Sequence, residues 1–440
     1  MAADAVSSGD TAWVLISSAL VMLMTPGLAF FYGGLVRNKN VLATIMHSFI
    51  VIALVSVIWV VAGYSLAFSP GHGFIGGLDW LGLKGVGQEP NPAYSSTVPH
   101  MAFMIFQGMF AIITPALITG AFAERAKFSS FLVFMGLWSL LVYAPVAHWV
   151  WAPDGWLREK GALDLAGGTV VHVNAGAAAL AAALLYGRRI GFGREAMEPH
   201  DISMVVLGAA LLWFGWFGFN AGSAIASGGL ATNAFVVTHV STAAAALTWT
   251  VLSWLFLKKP SVVGAAAGAV AGLVAITPAA GYVDAMPALL IGGGAGLLCF
   301  FAVRLRGRLM LDDSLDVVGV HGAGGVWGAL ATGIFASLAV NAAGNNGLTE
   351  GNLSLVGTQA LAIAVTAAFS FVATALILKV LDVVIGLRVS EEEELMGLDA
   401  TQHGERAYAF EGFGAVPLQQ AAMQPRSGPR RLSLEEADIT

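Results

Sequence analysis

Long apolar runs recur along the whole chain, and two of them carry a histidine at mid-length. Eleven runs are long enough to cross a bilayer, at roughly 11–36, 41–68, 99–123, 128–151, 167–187, 201–221, 233–257, 261–278, 285–305, 317–339 and 354–387. A span of about 20 apolar residues matches the ~30 Å hydrocarbon core. The backbone must be satisfied within the segment itself, so the runs read as helices. The alternating ten-residue strands of a membrane barrel are missing from the sequence pattern. With 57% hydrophobic and 11% charged residues in 440, the chain lacks the polar surface of a soluble domain. The expected fold is therefore an all-α membrane protein of eleven transmembrane helices.

The loops carry an uneven charge. One alternate set holds Arg37, Lys39, Arg125, Lys127, Arg188, Arg189, Arg194, Lys258, Lys259, Arg304, Arg306 and Arg308. The opposite set holds only Lys84, Arg158 and Lys160. Positive loops stay on the cytoplasmic side, which puts the N-terminus outside and the C-terminus inside. Residues 1–387 then form the membrane domain and 388–440 a cytoplasmic tail, ordered at first and disordered towards its end. The N-terminal MAADAVSSGD has no basic n-region, so no cleavable signal is expected. Spans one to five and six to ten have equal counts and opposite polarity, the arrangement of two five-helix inverted repeats plus a final helix, with the working site at their interface.

His172 lies in the fifth span and His321 in the tenth, equivalent positions in the two halves. An ionisable group in hydrocarbon is costly and marks a functional site by default. Small neighbours flank each, Ala175 and Gly176 beside His172, and Gly322, Gly324 and Gly325 beside His321. Such residues let helices approach closely. Asp164 and Asp313 each stand eight residues upstream. Paired histidines can hold a metal, relay protons or hydrogen-bond a small polar solute; they can also be core side chains bonded to backbone carbonyls. A metal centre wants a third or fourth ligand, and no other His, Cys or carboxylate sits at that depth in these spans, so no metal is expected. The lone Cys299 excludes a disulfide framework.

Aromatic side chains collect near the outer ends of spans. Phe106 and Phe110 are one turn apart on one helix face, Trp151 closes the fourth span, and the sixth ends FGWFGFNAGS with Phe219, Asn220 and Ser223. Aromatic faces attract a small cation and a hydroxyl accepts its hydrogen bond; the same residues also fit an interfacial belt. Asp164 reads first as a cap on the fifth span. The glycine stretches at 292–296 and 322–325 lack the strand context and lysine of a phosphate loop and read as helix-packing surfaces. Glu391–Glu394 reads as a solvated face. No nucleophile–base pair and no cofactor motif appears, which argues against an enzyme.

Several ordered segments resemble the ammonium transporter family (Amt/Mep/Rh), in its bacterial or archaeal Amt form: TPGLAFFYGGLVRNKNV at 25–41, FQGMF at 106–110, GAFAERAKF at 120–128, AHWVW at 147–151, GALDLAGGTVVHVNAG at 161–176, GWFGFNAGSA at 215–224, DVVGVHGAGG at 316–325 and GLDATQHGERAY at 397–408. The resemblance implies a homotrimer in the cell membrane, one pore per subunit, taking up ammonium or its analogue methylammonium and conducting ammonia through a hydrophobic pore. It assigns Phe106, Trp151 and Ser223 to external recruitment of the cation. It makes Phe106 and Phe219 a stacked gate, His172 and His321 a twin-histidine pair in the pore, and Asp164 a support that does not touch substrate. It implies no cofactor, no metal and no nucleic-acid partner. It allows a PII signalling protein at the tail. An ammonium sensor with incidental transport is the alternative, and a proton-coupled carrier of another small polar solute is a third reading. Leu165 stands where an aromatic is common in the family, and residues after about 411 lie outside the resemblance.

Overall fold

The computed structural model describes residues 6–408. The end of the tail, with Arg430 and Arg431, lies outside the described residues. Among the described residues ten helices are long and apolar enough to cross a membrane. They are α1 Ser8–Leu35, α2 Asn38–Phe68, α3 His100–Ala121, α4 Phe128–Glu159, α5 Gly168–Tyr186, α6 Ile202–Gly222, α7 Gly229–Leu257, α9 Ala285–Arg308, α10 Val318–Phe335 and α11 Leu353–Val384. Between α7 and α9 lies α8, Val262–Ile276, which has only 15 residues. At 1.5 Å per residue its helical part reaches about 22 Å, and turns at 277–282 prolong the segment. A short tail helix, α12 Glu391–Met396, follows α11.

The starts of these helices are written in the local sequence. Ser7 accepts from the Asp10 N–H, Asp201 from Met204, Ser261 from Gly264, Asp284 from Met286 and Asn352 from Ser354. Each satisfies a donor that has no partner within its own helix.

Close packing rests on glycine. α1 lies along α6, where a Cβ on Gly34 would come within 2.8 Å of the Val205 nitrogen and one on Gly208 within 2.6 Å of the Phe31 Cα. α5 crosses α10, where a Cβ on Gly176 would collide with the backbone of Gly322. Thus the first helix meets the sixth and the fifth meets the tenth. With lipid tails as apolar as leucine, close backbone approach is what holds such pairs together. At mid-span the exposed stripes of α2 and α11 are apolar, as in Phe49, Val57 and Val61 or Leu361, Val372 and Leu376.

Candidate functional site

The two histidines meet. His172 Nδ1 and His321 Nδ1 are 3.3 Å apart, with ring centroids at 5.3 Å and planes 28° apart. Both rings are buried. Two neutral imidazoles can share this contact only if one Nδ1 donates and the other accepts. The outer nitrogens of the pair then differ, one a donor and one an acceptor. His172 Nε2 has no hydrogen-bond partner among the described residues.

The approach is a property of both helix starts. Each histidine sits in a wide π-type turn, Gly168–Val173 in α5 and Val318–Gly322 in α10; such turns are often found at functional sites. Each turn is fastened by the aspartate upstream. Asp164 Oδ1 accepts from the Gly167 and Gly168 N–H groups at 2.7 Å, and Oδ2 from Thr169 at 2.7 Å and Val170 at 3.1 Å. Asp313 Oδ2 accepts from Val318 at 2.7 Å. Burial lifts the pKa of both carboxyls, with these N–H groups pulling the other way. The glycine four residues after each histidine faces the other histidine's helix. A Cβ on Gly325 would stand 2.9 Å from the His172 Cβ, and one on Gly176 would meet Gly322 next to His321.

A file of rings leads to this pair. Trp151 meets Phe110 edge-on at 5.7 Å; Phe110 stacks on Phe219 at 4.3 Å; Phe219 lies 6.2 Å from His172. Phe106 meets Phe110 edge-on at 5.1 Å. The stacked pair is therefore Phe110 with Phe219, and not Phe106 with Phe219 as expected. Phe110 is one turn further along α3 and is the ring that reaches Phe219, whereas Phe106 meets Phe110 edge-on. Trp151 donates its indole N–H to the Asp164 carbonyl at 2.9 Å, so one residue anchors both the ring furthest from the histidines in this file and the start of α5. Ser223 donates to the Phe219 carbonyl at 2.8 Å, which leaves its oxygen lone pairs to accept.

Trp216, which the sequence reading passed over, stacks on His172 at 5.4 Å and donates to Thr277 Oγ1 at 2.9 Å. Its signal was available: it stands three residues before Phe219, on the same helix face. The space beside the histidines is a narrow slot of about 10 Å³, lined by His172 and His321 with side chains such as Leu28, Phe31, Ile113, Leu117 and Val270. No lining residue carries a fixed charge. Among the described residues no three His, Cys, Asp or Glu side chains gather into a metal site.

At the opposite end from Trp151 the first part of the tail is built into the bundle. Glu124 binds Arg37, the Asn40 amide and, at 2.7 Å, Arg189 Nη1; Arg189 also pairs with Asp312 at 2.8 Å. Burial opposes the Glu124 charge, yet Arg189 and Arg37 hold its carboxyl below the ordinary value. The tail docks on this network. The Leu398 N–H donates to Asn40 Oδ1 and the Ala43 N–H to Asp399 Oδ1. Glu394 is buried, accepts from the Ile190 N–H at 2.7 Å and pairs with Arg388 at 2.7 Å. The Glu391–Glu394 run is thus not simply a solvated face. Glu391 and Glu392 are exposed, Glu393 completes a capping box with Ser390, and Glu394 turns inward because α12 lies against the bundle.

Residues 12–408 match the family model described as the Ammonium Transporter Family. The chain is 52% identical over 401 residues to an ammonium transporter of Bacillus subtilis, covering 91% of this chain and 98% of the relative. It is 48% identical over 403 residues to the ammonium transporter Amt1 of Archaeoglobus fulgidus, covering 91% and 100%. Among solved structures, Mep2 of Saccharomyces cerevisiae superposes with a TM-score of 0.85 at 37% identity, covering 94% of each chain. A structure titled Sensor Amt Protein gives 0.83 at 30% identity, covering 90% of this chain and 98% of that one.

Proposed function

This chain belongs to the ammonium transporter family, a family of multi-pass membrane transporters and not of enzymes, and from that premise we propose that it carries ammonium across the cell membrane by way of the Trp151–Phe110–Phe219–His172–His321 file. Ammonium is held at the outer mouth by the faces of Trp151 and Phe106, with Ser223 accepting a hydrogen bond from it. The cation leaves its proton before the slot, because moving an unpaired charge through apolar surroundings is prohibitive. Phe110 and Phe219 part to admit neutral ammonia. The linked imidazoles then offer it one acceptor and one donor in a passage otherwise short of both. The same pair can pass a proton: one enters at one Nε2, the Nδ1-bound proton shifts to the other ring, and one leaves at the far Nε2. Potassium has no proton to shed and is excluded.

The observation that carries this reading is the His172–His321 contact at 3.3 Å inside a slot without fixed charge. Current and methylammonium uptake measured together in proteoliposomes test it. Wild type and His172→Ala/His321→Ala should differ in both, and unchanged potassium-excluding electrogenic uptake in the double variant removes the histidines from the proton route.

The wider arrangement follows the same proposal: inverted five-helix halves, the N-terminus outside, the tail inside, and three copies each with its own pore. Residues 388–440 act as the cytoplasmic segment, where a PII protein can dock. Truncating the tail separates transport from sensing. Currents that survive while nitrogen regulation fails favour the sensor reading.

A further inference from the structure

Trp151 is held twice by the segment that follows it. The regular turns of α4 stop at Trp151; Ala152 is extended, and beyond Gly155 the chain resumes as a single short turn, Trp156–Glu159. The break between them is fixed from several sides. A Cβ on Gly155 would collide with the His148 carbonyl oxygen. The Asp154 carboxylate accepts from the Gly71 N–H at 2.9 Å and lies 3.5 Å from His148 Nε2. The Trp156 N–H donates to the Gly73 carbonyl at 3.1 Å. This turn brings Arg158 back to the end of the helix, where its Nη1 donates to the Trp151 carbonyl at 2.5 Å. The last carbonyls of a helix have no partner within it, and a basic side chain is a common donor to them. The Trp151 indole N–H, meanwhile, donates to the Asp164 carbonyl. Main chain and ring of one residue are thus tied to two points of the same loop. Arg158 is otherwise exposed and has no ion-pair partner among the described residues.

We propose that Arg158 is a positioning residue for the outer ammonium site, holding the Trp151 ring in the attitude that receives the cation without touching the cation itself. The inference rests on the transport reading, in which the Trp151 face binds ammonium. A cation–π contact depends on where the cation stands over the ring. The indole bond to Asp164 restrains one ring atom and leaves the ring able to swing about it. The bond from Arg158 fixes the main chain from which the ring hangs and removes that freedom. A guanidinium is an unfavourable neighbour for a cation site, since like charges repel. Its use here is as a donor, with a rigid fork of N–H groups and a charge that suits the negative end of a helix. The two roles predict opposite signs. Acting by charge, Arg158 weakens ammonium binding; acting as a tie on Trp151, it strengthens it.

Two measurements on the full chain test this. One is methylammonium uptake by proteoliposomes over a range of concentrations. The other is fluorine NMR of protein labelled with fluorotryptophan, the Trp151 resonance being identified by its loss in Trp151→Phe. Arg158→Leu should raise the apparent KM roughly 5-fold, about the worth of one exposed cation–π contact, and leave the maximal rate nearly unchanged. Its Trp151 resonance should shift or broaden before any substrate is added. Arg158→Lys keeps a donor and the charge and should return both readouts towards wild type. Lys160→Gln, which removes a neighbouring exposed cation, should behave as wild type in both. Arg158→Gln keeps the test open if the leucine variant folds poorly, and should move KM in the same direction by a smaller factor. A KM that stays put or falls in the leucine and glutamine variants overturns the proposal, and so does a lysine variant that restores nothing. The resonance needs no transport. An unmoved Trp151 signal in Arg158→Leu removes the tie by itself, whereas uptake indifferent to His172 and His321 strikes only at the transport reading.

Discussion

Phe110 lies on Phe219 with ring centroids 4.3 Å apart and planes 29° from parallel, and the pair stands between Trp151 and His172. The two rings come from different helices, α3 and α6, so the closure needs both. Phe219→Ala removes one ring and opens the slot to water. Proteoliposomes with the variant should pass potassium current that wild type does not. The truncation also costs about 3–5 kcal/mol of packing, so folded protein must be confirmed first. A folded variant that stays tight to potassium places the barrier elsewhere.

Much of this architecture can be read from the chain because hydrocarbon tolerates so few residue types. His172 and His321 stand out for that reason, and the cost of leaving N–H groups bare makes Asp164 recognisable as a cap. The gate was harder. Whether Phe106 or Phe110 reaches Phe219 depends on the relative depth of α3 and α6, which lie a hundred residues apart and have no common periodicity. Glu394 was hidden for another reason: four consecutive glutamates look alike, and only the docking of α12 decides which one turns inward. The short α8 has the composition of a span, and its length becomes visible only once its helical ends are set.

His172 and His321 share one hydrogen bond, and removing either ring breaks it. The effects of groups that act as a unit do not add. His172→Ala and His321→Ala should each lower ammonium-driven current by at least about 100-fold, the lower end of what acid–base groups supply. The double variant should be no worse than the poorer single. Losses that multiply in the double variant would show two independent rings rather than one relay.

Asp164 presents two acceptor oxygens to four N–H groups. Asparagine has the same shape but turns an NH₂ group towards two of those donors. Asp164→Asn should destabilise the protein by roughly 3 kcal/mol, from lost charge-assisted bonds and stranded donors. Because the Asp164 carbonyl also holds Trp151, the apparent affinity for methylammonium should weaken as turnover falls. Thermal melting with uptake kinetics checks this, and a variant equal to wild type in both denies Asp164 any part in holding the site.

Glu394 is buried against Arg388 and the Ile190 N–H. The Arg388 side chain is 31% exposed and can be hydrated on its own, so the loss comes mainly from the stranded Ile190 N–H, about 1–3 kcal/mol. Glu394→Ala should release residues 388–408 from the bundle, which limited proteolysis and amide exchange would register as faster cleavage and faster exchange in that segment. Glu391→Ala, at an exposed position in the same run, should change neither. Equal behaviour of the two variants would mean that Glu394 does not hold the tail down.

Asp316 gives the clearest pH signature. It sits just before α10 with a positive φ of 61°, facing Arg306. Its side chain is 32% exposed, so it is only partly desolvated; that desolvation raises the carboxyl from 3.8 to about 7, Arg306 and Arg189 pull it down, and the neighbouring Asp313 pushes it up. A carboxyl whose folded pKa exceeds its unfolded value holds its proton more tightly in the folded state. Its contribution to stability is complete below the unfolded value of 3.8 and is lost as pH rises through about 7. Asp316→Asn is neutral at every pH and tolerates the left-handed backbone. The melting temperature of the variant minus that of wild type should therefore be more positive at pH 8 than at pH 5, most of the change falling between pH 5 and 8. A difference that is flat across that range, or that grows towards acid, would mean that Asp316 is charged in the folded protein throughout, with the Arg306 pair outweighing its burial.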